Sequence, residues 1–232
     1  MSESSLKSVF WAGVVNISPI LIGVIPFALI AGVAAVDAGL DSFAAYALSP
    51  LVFAGASQLA AADLIGRDAS LAVIVLTVLV INSRMVMYSA SMAPHFVKAS
   101  IGRKAAIAYL LTDQAFAVSI LRLEERNEEL GVRVAYYLGA GLGLWTTWQA
   151  ASLAGVLIGA GVPSEWSLDF AVPLVFMALT FLAIKDRTTL VAAVVGATVA
   201  VAAFDLSYNL GLPLAALTGI GAGLAFEMRW AK

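Results

Sequence analysis

Three short polar strings stand where an apolar chain has little ordinary use for them. Asn82-Ser83-Arg84, followed by Tyr88, continues a run that opens Leu71-Ala72-Val73-Ile74 without any turn signal. Gly55-Ala56-Ser57-Gln58 and Thr112-Asp113-Gln114 interrupt two further apolar stretches. An arginine at the depth of a bilayer core costs about 2.5–3.5 kcal/mol on insertion scales, so Arg84 is expected to face protein or a watery cavity and to have a partner. Its guanidinium can grip a carboxylate through two parallel N–H groups, which a lysine ammonium does less well. Asp113 is the evident counter-charge. Within an apolar helix it serves either as a proton-relay group or as a static partner of Arg84, and both readings stand.

The remaining polar and small residues carry two readings each. Asn16, Pro19, Gly23 and Pro26 follow at spacings of three, four and three, so they share one helical face. Proline frees a backbone carbonyl, which makes this either a kinked packing helix or a broken one whose backbone lines a substrate path. Ser57 and Gln58 are site residues or an interhelical hydrogen bond. Thr77, Arg84, Tyr88 and Ser91 fall on one face by spacings of seven, four and three. Trp145 and Trp148 read as interfacial anchors. Gly139/Gly143, Gly155/Gly159 and Gly219/Gly223 give small-xxx-small faces, expected to pack helices and to offer a surface to a partner subunit. Asp205, Tyr208 and Asn209 read as a solvated loop.

The elements that must position these groups follow from composition. Hydrophobic residues make up 62% of the 232-residue chain and charged ones 12%, against about 45–50% and 25% in soluble domains. The surplus is arranged in runs long enough for a helix to cross a hydrocarbon core. Eight such segments are expected, at residues 9–36, 43–65, 70–92, 104–122, 134–160, 167–184, 188–204 and 211–228, with a break conceivable near Asn82 or Pro94 in the third. The fold class is therefore all-α and polytopic, one membrane domain over residues 1–232. The first run is too long for a signal-peptide core and reads as a retained helix. A net charge of −2 supplies no basic patch for nucleic acid. Without cysteine, and with His95 as the single histidine, thiolate metal sites and disulfides are excluded. HExxH, GxSxG and GxxxxGK[ST] motifs are absent, which argues against an enzyme or a nucleotide-driven pump.

The charged loop at residues 122–133 divides the chain into halves, 9–122 and 134–228, that resemble each other. Residues 32–60 align without a gap on 155–183, pairing Gly32-Val33 with Gly155-Val156 and Pro50-Leu51-Val52-Phe53 with Pro173-Leu174-Val175-Phe176. Such duplication recurs in secondary transporters, whose sites lie at the repeat interface. With eight spans and the amino terminus inside, Lys7, Arg67, Lys185, Arg187, Arg229 and Lys232 fall on the cytoplasmic side, as the positive-inside rule wants. Lys98, Arg103 and Lys104 are the exception.

Pro26-Phe27, the string from Leu51 through Gly55-Ala56-Ser57-Gln58 to Ala61, Asn82-Ser83-Arg84 with Tyr88-Ser89, and Leu111-Thr112-Asp113-Gln114-Ala115-Phe116 together closely resemble the AzlC family. The resemblance runs over nearly the whole chain. It implies the large subunit of a two-component exporter of branched-chain amino acids (leucine, isoleucine and valine, often methionine), a small AzlD-type membrane subunit as partner, and coupling to protons. It implies no cofactor. Two positions depart from the family pattern: Met85 follows Arg84 where a histidine is common, and Gln114 follows Asp113 where an acidic residue is common. Both lie where a proton could be carried, which leaves the coupling ion open. For a zwitterionic substrate, Arg84, Gln58 and Asn82 supply carboxylate donors, while Asp113 and carbonyls freed near Pro26 suit the ammonium. The expected substrate site is thus Pro26, Gly55, Ser57, Gln58, Asn82, Arg84 and Tyr88, with Asp113 for proton coupling. The rival expectation is a non-transporting scaffold or regulatory subunit whose polar groups only glue helices together.

Overall fold

A computed structural model describes residues 3–161, 184, 186–204, 206 and 210–230. Among them the chain is all-helical, without strands. The elements are α1 (Glu3–Asp37), α2 (Ser42–Val52), α3 (Gly55–Gly66), α4 (Leu71–Asn82), α5 (Arg84–Met92), α6 (Ile101–Tyr109), α7 (Asp113–Glu125), α8 (Leu130–Gly161), α9 (Arg187–Ala202) and α10 (Gly211–Trp230). The expected segment at 167–184 except Ile184, the Pro173–Ala183 side of the repeat, and Asp205, Tyr208 and Asn209 lie outside the described residues. By length and composition, residues 5–37 and 211–229 are each able to cross a membrane, and α4 with α5 makes a third if that bent pair is one span.

Helix α1 is not broken at its prolines. It runs continuously over 35 residues through Pro19 and Pro26, so the broken-helix reading of this stripe is overturned. The local chemistry explains part of this. Pro19 has no N–H to offer the carbonyl four residues earlier, Val15, and the Ser18 hydroxyl donates to that carbonyl at 2.8 Å instead. The larger support is α8, which packs along α1 from end to end. At about 1.5 Å per residue both helices are roughly 50 Å long.

The two run parallel and approach to backbone contact. A Cβ at Gly13 would strike the Tyr136 carbonyl, and one at Gly139 the Phe10 carbonyl. Further along, a Cβ at Gly32 would strike the Ser152 carbonyl and one at Gly155 the Leu29 carbonyl. Both contacts are reciprocal, as a pseudo-two-fold relation between the helices requires. Gly143 faces Ile17, and Gly159 faces Val33. Glycines of the α9–α10 hairpin are used the same way, Gly219 against Ala192 and Gly196, and Gly223 against Ala192. The paired glycine faces expected to serve a partner subunit are thus occupied by packing within the chain.

Three expected single segments are each two helices. In the second, Phe53 takes a left-handed conformation (φ 38°) and Ala54 is extended, which separates α2 from α3. In the third, α4 and α5 meet at Ser83 with a bend of 41°. In the fourth, residues 110–112 divide α6 from α7, and Thr112 caps the new helix by accepting from the Ala115 N–H. The halves are 11 and 12, 12 and 9, and 9 and 13 residues long. No half can span a core of about 30 Å alone, whereas each pair can.

The charged loop is tied to the α1–α8 seam. Glu128 grips the Arg122 guanidinium at 2.8 and 3.1 Å. The guanidinium lies over the Tyr136 ring, 4.4 Å from its centre, and the Tyr136 hydroxyl accepts from Asn16 at 2.8 Å.

Candidate functional site

Breaking a helix inside an apolar bundle leaves backbone groups that must be satisfied. Here side chains tie the three breaks to one another. The first and second are joined where the Ser57 hydroxyl lies 3.1 Å from Asn82 Oδ1 and 2.9 Å from the Ala54 carbonyl. The second and third are joined by Arg84 Nη1 to Asp113 Oδ2 at 3.3 Å. The third and first are joined by the Tyr109 hydroxyl, which donates at 2.8 Å to the Pro50 carbonyl in the last turn of α2. Trp145 on α8 donates to that same hydroxyl at 2.9 Å, fixing the triangle to the long-helix seam.

The breaks enclose a cavity of about 380 Å³. Phe53, Ala54, Gly55 and Ala56 line it from the first break, Arg84 and Met85 from the second, and Thr112, Asp113 and Gln114 from the third. Helix α1 adds Ile20, Gly23, Val24 and Phe27, and α8 adds Leu144 and Trp148. Its size is that of a small-ligand site. The wall is apolar on the α1 and α8 side and polar where α3, α5 and α7 begin. Ala54 gives α3 no side-chain cap, so the first-turn N–H groups of α3 are presented without one. Such a helix start favours negative charge.

Arg84 and Asp113 are 34% and 40% exposed at the side chain, which leaves both reachable. Their contact is a single one rather than the two-pronged grip the guanidinium allows. Arg84 Nε is buried and meets no acceptor among the described residues, and neither does Trp148 Nε1. Gly55 leaves room for two rings, since a Cβ there would lie 2.5 Å from Trp148 Cη2 and 2.6 Å from Phe27 Cε1. Those two rings meet edge-to-face, 5.5 Å apart, against the start of α3.

Of the expected site residues, Gly55, Arg84 and Asp113 line this cavity. Ser57 and Asn82 stand behind the wall and hold the first two breaks together. Gln58 is fully buried, with neither amide atom partnered among the described residues, and does not line the cavity. Pro26 is adjacent to the lining residue Phe27 without lining the space itself. Tyr88 is also set apart: its ring stacks on Phe116 at 4.6 Å. The face proposed for Thr77 with Arg84 is divided by the bend at Ser83. Thr77 lines a different space of about 910 Å³ between α3, α4 and the α9–α10 hairpin, walled chiefly by alanine and glycine, where Arg67 and Asp63 already pair at 3.0 Å.

Trp148 is the residue the sequence reading placed elsewhere. Trp148 is buried in the cavity wall rather than set at an interface, and Trp145, partly exposed, holds Tyr109. The available signal was position, because both fall near the middle of α8 rather than at an end.

The family model described as AzlC protein matches residues 19–162, more than half of the chain and every element that lines the cavity. The inner membrane protein YgaZ of Escherichia coli is 28% identical over 94% of this chain and 89% of its own length. An uncharacterized membrane protein of Archaeoglobus fulgidus is 32% identical over 94% of this chain and 96% of its own. A membrane protein of Helicobacter pylori is 30% identical over 73% of each. No solved structure matches the chain. The chain is a membrane protein and belongs to the AzlC family.

Proposed function

We propose that this chain is the large subunit of a proton-coupled, alternating-access exporter of branched-chain amino acids, working with a small AzlD-type membrane subunit. Leucine, isoleucine and valine are the expected substrates, with methionine as an extension. The observation that carries the reading is the meeting of three helix breaks at one cavity that holds Arg84 and Asp113 against an apolar wall. A zwitterion with a branched hydrocarbon side chain needs those three things together. Discontinuous helices that turn their starts toward a substrate are a recurrent solution in secondary transporters. A scaffold subunit would have no use for an open cavity at its polar groups. No part of this reading calls for catalytic chemistry.

The topology in this reading is eight spans in an inner (cytoplasmic) membrane. Helix pairs α2–α3, α4–α5 and α6–α7 each count as one broken span, and the apolar run at 167–184 is counted as another from its sequence alone. Three crossings between α1 and α8 make those two helices cross in the same direction, which agrees with their parallel packing. The halves 9–122 and 134–228 are then parallel repeats. Because each broken span divides near its middle, the cavity falls near mid-membrane. The YgaZ relative, named an inner membrane protein, supports the location.

Counterflow of labelled leucine in proteoliposomes, with and without the small subunit, tests the function. Accumulation of label against unlabelled internal leucine is the expected result. Its absence in both preparations, with folded protein present, would contradict the reading.

A further inference from the structure

The eight-span count takes each helix pair as a crossing because each is long enough to be one. The contacts at the far ends of two pairs trace a different path. Helix α2 starts where α1 and α8 end: Ala45, in its first turn, is buried with Ala35 and Val156. Helix α3 finishes at that same end, since a Cβ on Gly66 would stand 3.3 Å from Ala38 Cα. Between these points Gly55 sits against Phe27 and Trp148, deep along both long helices. The 12 residues of α3 rise about 18 Å, close to the rise of α1 from Phe27 to Asp37. So α2 goes in and α3 returns by the same end.

The α6–α7 pair does this from the opposite end. Phe96, just before α6, has its ring 5.9 Å from Tyr137 near the start of α8, and the His95 carbonyl accepts from Arg133 at 3.5 Å. Climbing from there, the Ile107 carbonyl accepts from the Tyr137 hydroxyl at 3.0 Å, Leu110 lies against Gly141, and Tyr109 meets Trp145. Helix α7 then descends from Asp113 in the cavity to Arg122 over Tyr136. Of the three pairs, only α4–α5 runs the length of the long helices, from beside Ala38 to beside Arg133. Charge agrees. On the eight-span path Lys98, Arg103 and Lys104 fall on the outer face, whereas on this one they join Lys7 and the 122–133 loop at the amino ends of α1 and α8. Arg67 moves to the outer face, where Asp63 pairs with it at 3.0 Å.

We infer that α2–α3 and α6–α7 are re-entrant hairpins that enter from opposite faces, meet tip to tip at the cavity and act as its outer and inner gates. Non-helical backbone at membrane depth is tolerated where it borders a cavity, and both tips, residues 53–56 and 112–114, line this one. The tips are joined by contacts that can be exchanged: the Tyr109 hydroxyl donates to the Pro50 carbonyl at 2.8 Å, and the Phe53 and Tyr109 rings are 6.1 Å apart. One tip can therefore part from the other without dragging a helix across the membrane. The gating role rests on the export reading above and deepens it. Two of the eight crossings are withdrawn, while α1 and α8 still cross in the same direction and the cavity stays near mid-membrane.

Because the chain has no cysteine, single thiols read the path. Ser42→Cys, Ser70→Cys, Ser100→Cys and Glu125→Cys, all at exposed positions, are labelled in spheroplasts with a membrane-impermeant maleimide before and after permeabilisation. Position 70 should label from the same face as 42, and position 100 from the same face as 125. Opposite faces within each of those couples are what eight spans require and overturn the hairpins. Either couple decides its own hairpin should a variant of the other fail to fold. Gating is read in proteoliposomes with Leu51→Cys/Ala108→Cys, exposed neighbours of Pro50 and Tyr109, bridged by a short bifunctional methanethiosulfonate. Leucine counterflow should be lost on bridging and return when the bridge is reduced. Unchanged counterflow with the bridge complete overturns the gates. Absence of counterflow in the wild type overturns the export reading and the gating with it, while the labelling still decides the hairpins.

Discussion

The α1–α8 seam and the three broken segments solve opposite problems with the same residue types. Along the seam, Gly13, Gly32, Gly139 and Gly155 bring two helices of about 50 Å into backbone contact, and two prolines do not interrupt α1. In the broken segments, ordinary residues such as Phe53, Ala54, Leu110 and Leu111 end helices that are mostly apolar. Continuity is thus decided by what packs alongside. A helix sealed along its length has no alternative partner for its backbone, whereas a short one gains from exchanging an internal hydrogen bond for a cross-link such as Tyr109 to Pro50. The seam is a frame, and the breaks are the working surface held on it.

The contrast should be sharpest at the glycines. Gly155→Leu or Gly32→Leu places a side chain where the opposing backbone carbonyl stands, and backbone cannot step aside as a side chain can. Each is expected to cost at least the roughly 1–3 kcal/mol of overpacking and to abolish recovery of folded protein, read by detergent size-exclusion and thermal unfolding. Gly23→Ala meets nothing within 4 Å and should unfold like the wild type. Equal losses at both sites would remove the distinction between frame and cavity wall.

Substitutions at the breaks should spare folding and damage transport. We predict that Arg84→Lys expresses normally and loses about tenfold or more of its leucine transport, because the charge remains and the fork is lost. Normal export at equal expression would sink the carboxylate role of this arginine. Asp113→Asn should abolish proton-driven efflux while leaving leucine exchange. If the Asn variant keeps the wild-type response to a proton gradient, Asp113 is not the coupling group.

Gly55→Ala is an intermediate case, since the groups it would strike are the far ends of two side chains. A loss of about 1 kcal/mol is expected, with a raised KM for leucine and little change in yield. The smallest effect belongs to Asp186, which caps α9 by accepting from the Thr189 N–H at 2.7 Å. That hydrogen bond holds its carboxyl below the usual carboxylate range. A pKa lowered on folding contributes stability above the unfolded value and loses it as pH falls through the folded one. Asp186→Ala should therefore lower Tm slightly at neutral pH, and the difference from wild type should shrink in acid.

Part of the candidate site was legible in the chain. Arg84 and Asp113 were marked by the cost of placing charge among apolar residues, and their pairing followed from there being so few candidates. The strings around Ser57, Asn82 and Thr112 marked the broken segments, but only the break near Asn82 was anticipated. The other two could not be read from punctuation. Phe53 is left-handed without being glycine, and residues 110–112 contain no helix breaker at all. Pro19 and Pro26, the strongest breakers by type, sit in an unbroken helix because Ser18 and α8 compensate. Trp148 was misplaced because an aromatic on an apolar helix looks the same at an interface and in a cavity wall. Periodicity showed that the glycine faces pack, but not that their partners are α1 and α9 rather than a second chain.

The central claim is that the three breaks line one substrate cavity, and the absence of native cysteine makes it directly testable. Ala56→Cys, Met85→Cys and Gln114→Cys each put a single thiol on one break, and Val86→Cys puts one on the exposed side of α5. Labelling by a water-soluble methanethiosulfonate is followed in proteoliposomes with and without leucine. All three cavity thiols should be labelled and all three should be protected by leucine, with Val86→Cys indifferent to it. Protection at one break alone, or labelling at all three that leucine leaves unchanged, would contradict a shared site.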